Sequence, residues 1–328
     1  MSAVPESMQQ DLLKTADRVA EAHCTKAVRE AAEAGEWPAA LWGALEQTGM
    51  TRAALPESAG GAGLDFIDAM AVLRRTAYHA LPVPLAETMM AGRMLMAAGL
   101  DVPEGALTVA FVDGKRVPWG GQAAYVVLVG DEEVGLASEV SVKDAEKNLA
   151  GEPRVLIAYA STKPKMLAGA RDRLMMEGAL LRSVQMAGAL ERILGYALTY
   201  ANERVQFGRP IGKFQAVQHL LAVLAGQVAA ASAAADAAVE ASAAAPDEFT
   251  IAAAKARVGE AAGKGAEIAH QVHGAMGFTR EHNLHYSTRR LWSWRDEFGN
   301  EAYWQMRLGR MVAARGAEAL WPMLAGSY

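Results

Sequence analysis

Apolar residues recur along most of the chain at the spacing of amphipathic helices, with one interruption in the middle. Up to about residue 100, and again from Leu174 to Tyr328, apolar positions return every three or four residues. Between about residues 105 and 162 they form short β-branched or apolar runs, which glycine-containing turns separate. The pattern predicts a mainly α protein with a small antiparallel β region between two helical parts.

Turn signals place the boundaries of these parts. We expect an N-terminal helical domain over residues 1–104, a β domain over 105–165 and a C-terminal helical domain over 166–328. The predicted strands are Leu107–Val112, Ala124–Val129, Glu133–Leu136 and Arg154–Tyr159. The predicted helices include Asp65–His79, Glu87–Ala98 and, in the C-terminal part, 172–203, 214–243, 249–273, 284–297 and 300–318. Antiparallel packing of the long C-terminal helices gives a four-helix bundle.

Composition argues against several classes of protein. The chain has 328 residues, of which 52% are hydrophobic, and its net charge of −5 gives no reason to expect binding to nucleic acid. Its single cysteine, Cys24, fits a reducing compartment. The first residues lack an apolar leader, and Asp236 and Glu240 interrupt the alanine-rich run at 229–245, which argues against a membrane span. We expect a soluble, cytoplasmic protein.

The most informative stretch is the turn between two predicted long helices, from Glu203 to His219. It carries Arg204 and Arg209, whose forked guanidinium groups suit a phosphate or a carboxylate. Gly208 can adopt the positive φ that ends a helix. A ligand-binding corner and an ordinary capped helix hairpin with surface arginines are both compatible with this pattern.

A second stretch, Gln271 to Phe278, ends another predicted helix. Gly274 and Gly277 allow the backbone to come close to a ligand or to another chain. An ordinary glycine stop at a helix end would explain the same residues.

Two histidine pairs near this helix end have helical spacing, His270/His273 and His282/His285. Such pairs can bind a metal, but no H-E-x-x-H or cysteine-rich pattern accompanies them. We therefore interpret them as structural histidines and predict no metal site.

Taken together, the two stretches resemble the signatures of a known family. Arg204-Val205-Gln206-Phe207-Gly208-Arg209-Pro210-Ile211-Gly212, followed by Phe214-Gln215, closely resembles the R-x-Q-F-G-x-P-I-x-x-F-Q motif of acyl-CoA dehydrogenases. Gln271-Val272-His273-Gly274-Ala275-Met276-Gly277-Phe278 is similar to the Q-x-x-G-G-x-G-[FY] motif of that family. The resemblance implies an FAD-dependent dehydrogenase of an acyl-CoA, with a helical N-terminal domain, a shortened β domain and a C-terminal four-helix bundle.

In this family the two motifs reach the adenosine–diphosphate end of an FAD that is bound mainly by a neighbouring subunit. The resemblance therefore implies that Arg204 pairs with the FAD pyrophosphate. It implies that the other cofactor-binding residues of this chain are Gln206, Phe214, Gln215, Gln271, Gly274 and Ala275. Ala275 stands where the family usually has a second glycine.

The resemblance does not supply a catalytic base. Members of the family carry a glutamate either after the second motif or before the first, and counting places these positions at Phe298 and Gly178. Neither residue can take a proton. The neighbouring carboxylates Glu297, Asp296 and Glu177 are displaced, and one position along a helix turns a side chain by about 100°. The catalytic residue is therefore left unassigned.

The β region also lacks a counterpart of the T-E-P-x-A-G-S-D-like string that holds the flavin ring in the family. The chain thus most resembles the small subunits of heteromeric α2β2 acyl-CoA dehydrogenases, which act in bacterial degradation of steroid side chains and similar acyl groups. On this hypothesis a larger partner subunit supplies the ring pocket and the base. Two alternatives are a homo-oligomeric dehydrogenase with a displaced carboxylate base and a non-catalytic helical scaffold.

Overall fold

Helices form the two ends of the chain and strands form its middle, which confirms the predicted fold class. The computed structural model describes residues 6–114, 116–137, 139–159 and 164–325. The N-terminal helices are α1 (Glu6–His23), α2 (Lys26–Ala34), α3 (Ala39–Gln47), α4 (Phe66–Tyr78) and α5 (Leu85–Ala97). The C-terminal helices are α6 (Ala170–Glu203), α7 (Gln215–Ala241), α8 (Glu248–His273), α9 (Leu284–Asp296), α10 (Glu301–Arg315) and α11 (Leu320–Ala325).

Local side chains set several of the helix ends. Asp65 caps α4 because its side chain accepts a hydrogen bond from the backbone N–H of Asp68 at 2.8 Å. Asp247 caps α8 in the same way, through the Thr250 N–H at 2.8 Å. At the other end of α8, Gly274 adopts a φ of 57° and ends the helix.

The strands form two small sheets, the first of which packs against the N-terminal helices. The longer strands are β1 (Leu107–Phe111), β3 (Tyr125–Val129), β4 (Glu133–Ala137), β5 (Val140–Lys147) and β6 (Pro153–Tyr159), and the shorter ones are β2 (Val117–Pro118) and β7 (Lys165–Met166). One sheet has the order β1-β3-β4-β7 and the other β2-β6-β5. Alternate residues of β1 face opposite sides, so Val109 joins the helical core while Ala110 joins the apolar cluster between the two sheets.

The pairing of the strands differs from the predicted antiparallel sheet at one place. β1 and β3 run parallel, with Leu107 opposite Tyr125 and Phe111 opposite Val129. After β1 the chain crosses to the second sheet, where β2 pairs with β6, before it returns as β3. The glycine turns after β1 and before β3 therefore belong to a crossover, because a parallel pair cannot be joined by a tight hairpin.

Four long helices, α6 to α9, form the C-terminal bundle. Ala197 in α6, Ala231 in α7 and Ala262 in α8 are fully buried, and their small side chains let the helix backbones approach closely. Leu190 and Trp294 fill the wider spaces of the same core. The predicted bundle is confirmed.

Helix α7 leaves one apolar face uncovered. By length and composition alone this helix is apolar enough to cross a membrane. Only 22% of its most apolar 18-residue stretch is buried within the chain, so most of that stretch is uncovered. It packs on the bundle through residues such as Leu224. The opposite face exposes small residues at helical spacing: Ala222, Ala225, Ala229 and Ala233.

A buried network of charges joins the three parts of the chain. Arg182 of α6 donates to Glu87 of α5 at 2.5 Å and lies 2.7 Å from a carboxylate oxygen of Glu297, which follows α9. Glu297 also accepts from Arg154 of β6, and Arg154 lies 3.3 Å from Glu152. Each buried charge therefore has an opposite charge within contact distance, which offsets the cost of taking it out of water.

Candidate functional site

The turn after α6 has a more defined shape than the sequence predicts. The short strands β8 (Val205–Gln206) and β9 (Arg209–Pro210) form a two-residue hairpin, with Phe207 at φ 52° and Gly208 at φ 79°. Positive φ at both central residues is the geometry of a type I′ turn. The expectation that Gly208 ends the helix is wrong, because α6 already ends at Glu203 and Gly208 shapes the hairpin tip.

Most of the predicted cofactor-binding side chains of this turn are exposed and unpaired. Arg204, Gln206 and Gln215 have no side-chain hydrogen bond or ion pair to any residue that the structure describes. Phe214 is half-buried, and the Arg209 guanidinium lies 4.2 Å from the centre of its ring. Arg209 is therefore held by a cation–π contact, whereas the Arg204 guanidinium is available to an anion.

The end of α8 presents the second group of predicted residues. Gln271, Gly274 and Ala275 are exposed there. Gly274 has φ 57° and ψ −140°, a combination that residues with a side chain rarely adopt. A Cβ added at Gly274 would meet nothing within 4 Å, so the backbone is open to a ligand or to another chain.

An aromatic contact brings the two groups together. The ring of Tyr200 stacks on the ring of His273, with 4.7 Å between their centres and an angle of 27° between their planes. Tyr200 lies one helical turn before Arg204, and its backbone carbonyl accepts a hydrogen bond from the Arg204 backbone N–H at 2.8 Å. His273 directly precedes Gly274. The predicted pyrophosphate and adenosine residues thus lie at the same end of the bundle.

Three buried or half-buried imidazoles at this end, those of His273, His282 and His285, have lowered pKa values. Burial lowers the pKa of His282 to about 4, and the nearby His273 and His285 add to this effect. Burial also lowers the pKa of His273. An anionic ligand at this end of the bundle would therefore be met by arginine, with Arg204 exposed for it, and not by a charged histidine.

Two exposed phenylalanines lie beside these residues and were not among the predicted cofactor-binding residues. Phe207, at the hairpin tip, is 92% exposed, and Phe278, after α8, is 74% exposed and stacks on His270 at 4.5 Å. Phe278 borders a groove of about 420 Å³ that Gln271 and Gly274 also line. Each phenylalanine belongs to one of the two motifs. A large apolar residue in a turn that is expected to be exposed was the sequence signal that could have marked them as contact residues.

The two positions at which a family base was sought face each other. A Cβ added at Gly178 of α6 would lie 2.3 Å from the ring of Phe298. Phe298 has a φ of 53°, which is rare for a residue with a bulky side chain. The ring fills the space above Gly178, and neither position provides a carboxylate.

Two of the neighbouring carboxylates are held in ion pairs. Burial by itself raises the pKa of Glu297, but the charges of Arg182 and Arg154 outweigh it and lower the pKa to about 2. Glu177 is fully buried and accepts two hydrogen bonds from Arg93, at 2.8 and 2.9 Å. Asp296 is exposed. A carboxylate with a pKa near 2 is a weak base, so Glu297 is suited to structure and not to proton abstraction.

Possible metal ligands do not cluster in the parts of the chain that the structure describes, where no group of three or more His, Cys, Asp or Glu side chains could hold a metal ion. The His270 ring bonds Thr288 at 3.0 Å, and the His273 ring bonds the Ala269 carbonyl at 2.7 Å. These histidines have packing and hydrogen-bond roles.

Comparison with known proteins identifies the family. Residues 6–102 match the model of the acyl-CoA dehydrogenase N-terminal domain, and residues 170–310 match the model of the acyl-CoA dehydrogenase C-terminal domain. The chain belongs to the acyl-CoA dehydrogenase family, whose members are FAD flavoproteins and oxidise the CH–CH bond of acyl-CoA thioesters. It is 32% identical to the acyl-CoA dehydrogenase IpdE2 of Mycolicibacterium smegmatis over 293 residues, which cover 85% of this chain and 90% of that protein.

Two solved structures share the fold along nearly the whole chain. A variant of the Tcur3481-Tcur3483 steroid ACAD matches with a TM-score of 0.83 and 24% identity, over 94% of this chain and 98% of that one. The ChsE4-ChsE5 complex from Mycobacterium tuberculosis matches with a TM-score of 0.83 and 23% identity, over 95% of this chain and 99% of that one.

The described residues fit one half of an FAD better than the other. Arg204 offers a forked cation for a pyrophosphate, the exposed glutamine amides offer donors and acceptors for adenosine, and the bare backbone at Gly274 allows close approach. For the ring, the chain has no counterpart of the family's threonine- and serine-bearing string, and the positions sought for a base hold Gly178 and Phe298.

Proposed function

We propose that this chain is the smaller subunit of a heteromeric acyl-CoA dehydrogenase, in which it binds the nucleotide end of FAD across a subunit interface. A larger partner subunit provides the pocket for the flavin ring and the catalytic base. The complex introduces an α,β double bond into a CoA thioester. We also propose that this subunit works in a reducing cytoplasm, which the single cysteine, Cys24, suits.

The observation that carries the proposal is the Tyr200–His273 stack. It places Arg204 beside the end of α8, where Gln271 and Gly274 are exposed. A site for a complete cofactor within one chain would need ring contacts and a base as well. Gly178 and Phe298 stand at the base positions and cannot act as a base. The nucleotide contacts of this chain therefore fit a flavin whose ring pocket and catalytic base come from another chain.

Each residue has a defined task in this arrangement. Arg204 would neutralise the pyrophosphate with charge-assisted hydrogen bonds. Gln215 and Gln271 would hydrogen-bond the adenosine, while the Gly274 backbone would lie against it without a side chain in the way; Gln206, Phe214 and Ala275 would border the same nucleotide. When bound, FAD supplies the hydride acceptor for the β-hydrogen of the substrate, and the partner's base removes the α-proton.

The uncovered face of α7 supports the presence of a partner subunit. It begins at Gln215, inside the proposed nucleotide site, and continues as a row of exposed alanines along the helix. An apolar face of this length is typical of a subunit interface. The two structural neighbours, Tcur3481-Tcur3483 and ChsE4-ChsE5, are each a pair of chains, and the first is a steroid ACAD. A steroid-derived acyl-CoA is therefore the substrate class we propose.

Co-expression tests the proposal. The chain would be purified alone and together with a candidate larger subunit, and the flavin absorbance per protein would be measured in both preparations. We expect a colourless chain alone and a flavin-loaded, active complex. A yellow and active homo-oligomer of this chain alone would contradict the proposal and support a self-sufficient dehydrogenase. Absence of flavin in every co-expressed pair would leave a scaffold role.

Arg204→Ala tests the nucleotide contact within the complex. Loss of a charge-assisted contact to phosphate should weaken FAD retention roughly ten- to a hundredfold. Arg310→Ala, which removes an exposed arginine of α10, serves as the matched control and should leave FAD retention unchanged. Equal retention in both variants would show that Arg204 does not touch the cofactor.

The self-sufficient alternative predicts a base among the displaced carboxylates. Glu297→Gln, Asp296→Asn and Glu177→Gln would each be assayed for turnover per bound flavin in the co-expressed complex. We expect turnover per flavin to remain close to that of the unmodified complex in all three. A collapse of turnover in one variant, with its flavin retained, would assign the base to this chain.

A further inference from the structure

A row of aromatic and cationic side chains runs along one face of α6 and connects the N-terminal helices with the proposed nucleotide site. Its members on α6 are Arg192, Tyr196 and Tyr200, which are spaced four residues apart and therefore lie on the same face of the helix. All three are half-buried. Tyr200 is the residue whose ring stacks on His273, so the row ends at the contact that joins the two halves of the site.

Arg192 joins two tyrosines that lie on different helices. Its guanidinium lies 4.3 Å from the ring centre of Tyr196, one turn further along α6, and 4.8 Å from the ring centre of Tyr78, the last residue of α4. Its Nη1 atom also donates a hydrogen bond to the Tyr78 hydroxyl at 3.1 Å. No carboxylate among the described residues pairs with Arg192, so the two tyrosines are what hold this cation in place.

Tyr196 in turn contacts the loop between α8 and α9. Its ring meets the His282 ring edge-on, with 5.3 Å between the ring centres. The His282 ring lies 4.6 Å from the ring of His273. The Nδ1 atom of His282 accepts a hydrogen bond from the N–H of Leu284, the first residue of α9, at 3.1 Å. His282 is therefore held between α6, the end of α8 and the start of α9.

We infer that Arg192 is a positioning residue for the nucleotide site. Through Tyr196 and His282 it fixes the loop of residues 274–283 relative to the end of α6, where Arg204 lies. Its second partner lies on α4, so the spacing of the two groups of nucleotide contacts depends on how the N-terminal helices pack on α6. The inference rests on the proposed function, because it takes those two groups as contacts of the FAD nucleotide.

The packing of α4 on α6 has other contacts as well. Gly188 of α6 lets the two backbones approach so closely that an added Cβ would lie 2.2 Å from the Arg74 carbonyl oxygen. The Arg74 side chain pairs with Glu191 of α6 at 2.5 Å. Loss of Arg192 should therefore leave the two helices together and act mainly on the loop at residues 274–283.

Hydrogen–deuterium exchange of the full chain, followed by mass spectrometry, tests the inference without the cofactor. Arg192→Leu keeps an apolar side chain and removes the cation. We expect peptides that cover residues 274–284 to exchange about two- to tenfold faster in this variant, while peptides from α4 keep their protection. Arg192→Lys, which retains a cation, should restore most of the protection. Unchanged exchange at residues 274–284 in Arg192→Leu, or an equal loss of protection in α4, would overturn the inference.

FAD retention in the co-expressed complex separates this inference from the proposed function. Arg192→Leu should lower FAD retention about two- to tenfold, and Arg204→Ala is the reference for a lost direct contact. Arg171→Leu is the matched control and should retain FAD fully. Arg171 also lies on α6 and over an aromatic ring, that of Phe111 at 4.9 Å, but at the end of the helix opposite to the nucleotide site.

The combination of outcomes decides which idea fails. Loss of FAD in Arg204→Ala but not in Arg192→Leu would refute the positioning role and leave the proposed function standing. Full retention of FAD in both variants would refute the proposed function, and with it the role of Arg192 at a nucleotide site.

Discussion

The ring of Phe298 lies directly against Gly178, so closely that a methyl group at residue 178 would come within 2.3 Å of it. Gly178 sits inside α6, where glycine is normally unfavourable, and Phe298 sits in a loop with a positive φ. Each residue accommodates the other. Together they occupy the two positions at which a catalytic carboxylate was sought.

Gly178→Ala should therefore destabilise the chain, against the usual trend for helices. Alanine normally stabilises a helix by about 1 kcal/mol relative to glycine. Here the overlap with Phe298 should dominate, at a net cost of about 1–3 kcal/mol. Urea unfolding of the purified chain measures the difference.

The control for Gly178→Ala is Gly226→Ala in α7, where a Cβ would meet nothing within 4 Å. That variant should be as stable as the unmodified chain or more stable. In a chain that also carries Phe298→Ala, Gly178→Ala should lose its cost. If it remains equally destabilising there, the contact with Phe298 is not the cause.

The Glu297 network predicts a specific dependence of stability on pH. The pKa of Glu297 is lowered from 4.5 to about 2 in the folded chain, so the unfolded chain binds more protons between these values. The contribution of this carboxylate, about 3 kcal/mol, is present above pH 4.5 and is lost as the pH falls toward 2. Glu297→Gln should thus be strongly destabilised at pH 7 and nearly equal to the unmodified chain near pH 2.

Chemical unfolding of both chains across this pH range checks the prediction. Glu146→Gln is a suitable control, because Glu146 is exposed and pairs with Arg116 at the surface. It should show little change at any pH. A Glu297→Gln effect that does not shrink on acidification would mean that its charge is not what stabilises the network.

Replacement of Tyr200 tests the link between the two halves of the nucleotide site. Tyr200→Leu keeps an apolar side chain but removes the stack on His273, which is 4.7 Å away. A lost aromatic pair is worth about 0.5–1.5 kcal/mol, so FAD retention in the co-expressed complex should fall roughly two- to tenfold. Tyr303→Leu removes a comparable ring contact, with Trp304, and should leave FAD retention unchanged. Identical losses in the two variants would point to a general effect on folding.

Gly274→Ala should disturb both the backbone and the cofactor. The φ of 57° and ψ of −140° at this residue are strained for alanine, at a cost of about 1–3 kcal/mol. A shift of the turn to relieve this strain would move the neighbouring Ala275 as well. We expect lower thermal stability and weaker flavin retention, whereas Gly309→Ala in α10, with open space around its Cβ, should be neutral or stabilising. Full stability of Gly274→Ala would contradict the strain.

Local signals explain which elements of the fold were predictable. The helix predicted at 249–273 is found as Glu248–His273 because Asp247 caps its start and Gly274 ends it, and both signals are readable in the sequence. Strand β5 (Val140–Lys147) was not predicted, because it is an edge strand whose mostly polar residues face solvent and show no apolar period. The parallel pairing of β1 with β3 depends on a crossover that no local turn signal specifies.

The candidate site likewise has a part that local sequence signals predicted and a part that depends on tertiary packing. Arg204 and Gln271 were singled out through two motifs, of which the first is complete and the second differs only at Ala275. Their proximity depends on Tyr200 and His273, whose contact arises only when α6 packs against α8. Likewise, Glu297 was an open candidate for a base until its partners Arg154 and Arg182, distant in sequence, were seen to hold it.

The ion pairs around Glu297 have a consequence for how the molecule melts. They connect α5, β6 and the loop after α9 through Arg182 of α6. If one of these parts detached, a charge that stayed buried would lose its counter-charge, which is unfavourable. Heating should therefore produce one sharp calorimetric peak for the whole chain rather than separate transitions, and cutting the polypeptide between its parts should yield fragments that cannot hold their shape.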